Sequence, residues 1–85
     1  MEYLLKTYGK FGITENLLIR LVKMARVDFG YSTEQALALL RYAMAITFHN
    51  TAETFSLRET ALITGEDYHT VLQRMETLVT AEKFV

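Results

Sequence analysis

Apolar residues recur at spacings of three and four along most of the chain, the period of an amphipathic α-helix. In ENLLIRLVKMARVDF, Leu17, Leu18, Leu21, Met24 and Ala25 make one inward stripe with Asp28 at its far end, and Arg20, Lys23 and Arg26 fall largely on other faces. Thr14 supplies an N-cap for this helix, and Gly30 ends it by adopting the left-handed conformation just past the last turn. The next run, ALALLRYAMAITF, is apolar on nearly every side and carries Arg41 as its only charge. A helix of that kind is covered from several directions, so the stretch near Gln35–Phe48 is expected to be central. Ser32 and Gln35 form a capping box at its start. His49-Asn50-Thr51 closes it, with His49 placed to complement the helix-end dipole. Upstream, residues 2–8 form a short helix or an extended arm with Tyr3, Leu4, Leu5 and Tyr8 on its apolar side, and the segment Gly9–Gly12 breaks it.

The last third has its own pattern. A second capping box, Ser56-Leu57-Arg58-Glu59, opens a short helix over Leu57–Thr64 that stops at Gly65. Asp67 is the N-cap of a final helix running from Tyr68 to about Glu82. Val71, Leu72, Met75, Leu78 and Val79 specify its inner face, and His69, Thr70, Gln73, Arg74 and Thr77 its outer one. Ala61 is small enough for two helices to cross closely, and Gly65 suits a tight turn. These spacings predict a helix-turn-helix unit over residues 56–80. The expected fold is an all-α domain of four to five helices, a single domain over residues 1–85, in which residues 1–50 form the helical core and the dimerisation part.

Composition narrows the function classes. The 85 residues allow one domain of modest buried area. The chain has no proline and four glycines, which favours long helices over turn-rich β structure. With no cysteine, neither a disulfide nor a thiolate metal site is available. The two histidines, His49 and His69, lie outside any ligand-spaced motif, so no metal or other cofactor is expected. Hydrophobic residues make up 51% of the chain, which points to a second copy covering part of the surface, and so to a homodimer. Met24, Met44 and Met75 read as core filling, and Tyr3, Phe11, Phe29, Tyr31, Tyr42, Phe48 and Phe55 as core or dimer interface. No apolar run approaches the roughly 18–20 residues that span a bilayer, and the first residues lack the pattern of a secretory signal, so no membrane partner and a cytoplasmic location are expected. No Gly-rich phosphate loop, paired active-site carboxylates or Ser/Cys–His arrangement suggests an enzyme.

At SLRETALITGEDYHTVLQRMETLV the chain resembles the helix-turn-helix half of winged-helix bacterial regulators of the MarR and GntR types, through Ser56, Leu57, Ala61, Gly65, Thr70, Val71 and Leu78. Phe84-Val85 would fall where such proteins enter the first wing strand. Thr64 and Glu66 depart from the pattern, which has apolar or small residues at those places. The resemblance implies sequence-specific binding of double-stranded DNA in transcriptional or replication control. The second helix would lie in the major groove with Tyr68, His69, Thr70, Gln73 and Arg74 toward the bases. Ser56 and Arg58 would touch phosphates, and Thr77 and Lys83 complete the expected DNA-binding set.

Charge pulls the other way. Residues 1–50 carry six basic and four acidic groups, whereas residues 51–85 carry three basic and six acidic ones. The segment expected to meet phosphates is therefore the acidic one, and Glu66 and Asp67 stand at the start of the reading helix, where they would face the backbone of DNA. The alternative expectation is a protein-interaction module, an adaptor or inhibitor of the kind phages encode, that sets an acidic face against a basic partner.

Overall fold

The computed structural model describes residues 1–82. Five α-helices form: α1 Glu2–Tyr8, α2 Glu15–Phe29, α3 Thr33–Thr47, α4 Leu57–Thr64 and α5 Tyr68–Glu82, with a 3-10 turn at Gly9–Phe11 between the first two. No strand occurs among the described residues. The all-α expectation holds, and residues 2–8 take the helical option. The wing strand expected at Phe84-Val85, and Lys83, lie outside the described residues.

Side-chain caps set the helix starts. The Thr14 hydroxyl accepts from the Leu17 amide at 3.2 Å. Ser32 with Gln35 and Ser56 with Glu59 close reciprocal capping boxes. The Asp67 carboxylate accepts from the Thr70 amide at 2.7 Å. Each cap supplies a partner for an amide that the helix itself leaves unpaired. Because Ser32 is the cap, α3 starts at Thr33, three residues before the run of apolar residues that marks it in the sequence.

The core gathers around α3, which packs against α2, α4 and α5. Ala36, Leu39, Leu40, Ala43 and Met44 are fully enclosed. Leu18, Leu21 and Ala25 of α2 meet this helix from one side, while Ala61 of α4 and Val71 and Leu78 of α5 complete the cluster. Leu4 and Tyr8 of α1 and Ile13 of the following loop belong to the same cluster. Each enclosed leucine, valine or methionine side chain contributes about 1.5–3 kcal/mol. Met44 fills the core outright, and Met24 and Met75 pack against its edge. Asp28, at the end of the α2 stripe, is exposed, whereas Val22 takes an inward position.

Two chain reversals show opposite solutions to ending a helix. Gly65 ends α4 in the left-handed region with φ 73°. After α3 the same region is occupied by His49, at φ 52°. A side chain costs roughly 1–2 kcal/mol there, where glycine costs nothing sterically. His49→Gly is expected to stabilise the fold by about 0.5–1 kcal/mol and Gly65→Ala to destabilise it by about 1 kcal/mol, both read from urea midpoints.

Candidate functional site

Three residues, Gly65 to Asp67, separate α4 from α5. One flank of α5 is a shallow groove lined by Thr70, Gln73, Arg74, Glu76, Thr77, Thr80 and Ala81. It brings together four residues that the sequence singled out: Thr70, Gln73, Arg74 and Thr77. Tyr68 and His69 lie at the exposed start of α5 outside this flank, and Ser56 and Arg58 sit on α4.

Most of these groups are already occupied. The Ser56 hydroxyl accepts from the Glu59 amide at 3.3 Å and donates to the Glu59 carboxylate at 3.0 Å, so it serves the cap. The Thr77 hydroxyl donates to the Gln73 carbonyl at 3.0 Å within the helix. Arg58 is exposed and has no ion-pair partner among the described residues.

Arg74 is the main departure from the expected outer face. It still lines the groove, but its guanidinium is engaged on the side toward α2. Its Nε donates to Glu66 Oε2 at 2.8 Å, and its guanidinium lies 4.6 Å from the Phe29 ring centroid. The Tyr31 ring is 6.0 Å away. Glu66 in turn accepts from the Tyr31 hydroxyl. Burial, and then the hydrogen bond to Glu66, push the Tyr31 hydroxyl well above its ordinary pKa, so it remains a donor. Glu66 was expected to face phosphates. It points inward, because an arginine and a phenol both offer it hydrogen bonds and the aromatic pair Phe29–Tyr31 gives the arginine a flat surface to stack on. Asp67 is held below the ordinary carboxylate range by the Thr70 amide, in keeping with its capping role.

A second arginine behaves alike. Arg41, the only charge of α3, makes a two-bonded pair with Glu53 at 2.6 and 2.8 Å. Its guanidinium lies 4.6 Å from the Tyr3 ring and 4.9 Å from the Phe55 ring. The Glu53 side chain is 3% exposed and also accepts from the Tyr3 hydroxyl at 2.8 Å and the Phe55 amide at 3.0 Å. The Arg41 hydrogen bonds hold Glu53 down at about 2 against the opposing effect of burial, with the Phe55 amide and Tyr3 assisting. This cluster ties the segment after α3 to both α1 and α3. A third pair, Arg20 with Glu82 at 3.1 Å, links α2 to the end of α5.

Sequence reasoning had no means of finding Tyr31 and Phe29 as partners of α5, since more than 30 positions separate them from Glu66 and Arg74. It also passed over Thr60, which is completely buried; its hydroxyl donates to the Ser56 carbonyl at 3.1 Å, one turn back. The apolar surface on α4 and α5 was visible only in part. Leu62 is 73% exposed, and Tyr68 and Leu72, one turn apart on α5, also stand in solvent. Among the described residues no cluster of three or more His, Asp or Glu side chains is placed to hold a metal ion, and no helix is long and apolar enough to cross a membrane. No family model, curated protein or solved structure matches the chain.

The depressed Glu53 pKa carries a direct test. The ionised form is favoured by folding, so its contribution is complete above pH 4.5 and is lost as pH falls toward about 2. That contribution is about 2–3 kcal/mol. Glu53→Gln is expected to lower stability by this amount at neutral pH and to flatten the loss of stability below pH 4.5, measured by urea denaturation over a pH series.

Proposed function

We propose that this protein is a helical interaction module that binds another protein, acting as an adaptor or inhibitor, rather than a reader of duplex DNA. The observation that carries this reading is the engagement of Arg74 with Glu66 and Phe29. With Arg74 paired to Glu66, the outer side of α5 offers His69, Gln73, Glu76, Thr77 and Thr80 and no unpaired arginine or lysine among the described residues. Phosphate neutralisation by such cations supplies essentially all non-specific affinity for DNA. In its place the pair α4–α5 presents exposed Leu62, Tyr68 and Leu72, the residue types that enter protein interfaces.

A second reading, sequence-specific DNA binding through a helix-turn-helix, draws on the polar flank of α5. There Gln73 and Thr70 are of the types that pair with base edges, and Arg58 stands free to meet a phosphate. Either function is compatible with a homodimer built from residues 1–50, where Met1, Tyr3, Phe11 and Ile46 also leave apolar surface in solvent.

Binding to pooled random-sequence duplex DNA, followed by fluorescence anisotropy, separates the two. The wild-type chain is expected to show none even at about 50 mM salt, where phosphate contacts are strongest. Glu66→Ala is expected to release Arg74 and produce measurable, salt-sensitive binding, with a stability loss of about 1–2 kcal/mol. Salt-sensitive binding by the wild type that Arg58→Ala and Gln73→Ala weaken would favour the DNA reading.

A further inference from the structure

We infer that the outward face of α2 is a docking surface for an acidic amphipathic helix of another protein, an inference that rests on the protein-partner reading above. The inner face of α2 is spent on the core through Leu18, Leu21 and Ala25. On the opposite face Ile19, Lys23, Arg26 and Val27 follow at helical spacing, and a shallow groove there takes in Val22, Tyr31 and Met1 as well. Ile19 is 48% and Val27 71% exposed. Lys23 and Arg26 are exposed and have no ion-pair partner among the described residues, and Arg20 beside them keeps 61% of its side chain in water although it meets Glu82. Ile19 and Val27 stand two turns apart with Lys23 between them in the same row and Arg26 beside it, so apolar and cationic positions alternate along the face, and Asp28 and Glu82 border it on one flank.

The chemistry of this face selects its occupant. A second copy laid antiparallel on the same face would set Lys23 and Arg26 against their own counterparts, and like charges across an interface repel. An anionic lipid surface is met by a broad apolar face rich in leucine and aromatic residues, whereas the leucines of α2 point into the core. Duplex DNA is bound through continuous cationic contact, which Ile19 and Val27 interrupt. A helix with apolar residues at a spacing of three and four and carboxylates along its edges satisfies both features. Its apolar side covers Ile19 and Val27, and its carboxylates pair with Lys23 and Arg26.

The full chain, labelled with nitrogen-15, is titrated with three synthetic helical peptides that share one leucine face and differ only in polar residues: glutamate, glutamine or lysine. The glutamate peptide is expected to bind saturably and about tenfold or more tighter than the lysine peptide, with amide shifts gathered in residues 16–31. The double variant Lys23→Glu/Arg26→Glu, checked for an unchanged fold by its spectrum, is expected to reverse that ranking. Arg58→Glu on α4 should leave it unchanged. Absence of saturable binding, equal affinity for all three peptides, or displacement of the glutamate peptide by phosphatidylserine vesicles overturns the proposal, as does self-association that the double variant abolishes. Shifts that gather instead on α4 and α5 overturn this site and leave the protein-partner reading standing. Duplex DNA that shifts α5 overturns that reading itself.

Discussion

The need to cover α3 organises the molecule. A helix that is apolar on nearly every side cannot stand at a surface, so α2, α4 and α5 each lay a face against it and α1 adds Leu4 and Tyr8 to the same core. Its single charge, Arg41, has to be accommodated at the margin of that core. The sequence supplies Glu53 in the segment that follows, with Tyr3 and Phe55 as aromatic faces on either flank. The same contact therefore compensates the charge on α3 and fixes the path of the chain between α3 and α4.

Charge follows the same logic across the whole chain. The basic excess of residues 1–50 and the acidic excess of residues 51–85 look like two surfaces in search of partners, but the fold sets them against each other. Arg41 meets Glu53 and Arg20 meets Glu82, each pair joining the two halves. Arg74 and Glu66 pair within the acidic half and rest against Phe29 and Tyr31 from the other. Part of the acidity that argues against DNA is thus internally compensated. The same pairing removes the arginine that would have argued for it, so the electrostatic objection persists in a different form. Lys23 and Arg26 on α2, like Arg58 on α4, are left without an ion-pair partner among the described residues.

Local features were legible in the sequence and long-range ones were not. Periodicity and capping residues fixed α2 to α5 to within a residue or two, because a cap such as Ser56 with Glu59 is written entirely in neighbouring positions. The outer face of α5 was readable as a list of residue types, yet helical spacing alone cannot say that the Arg74 guanidinium is engaged toward an aromatic pair on α2 and the segment after it. That outcome depends on how α5 packs against α2. Ile19 and Val27 carried a visible signal, as apolar residues left over once the inward stripe of α2 is assigned. The resemblance to winged-helix regulators rested on positions such as Ala61, Gly65 and Val71. Helix packing asks for the same residue types there, so such positions carry the shape of a helical pair without its ligand.

Arg74 serves the packing of α5 against α2 through Glu66, Phe29 and Tyr31. A double-mutant cycle on Arg74→Ala and Glu66→Ala, read by urea denaturation at low and moderate salt, tests it most directly. The account predicts a coupling energy of about 1–2 kcal/mol that changes little with salt, as for a partly buried pair braced on aromatic rings. A coupling within about 0.3 kcal/mol of zero, as exposed surface pairs often give, would contradict it and return Arg74 to the outer face of α5.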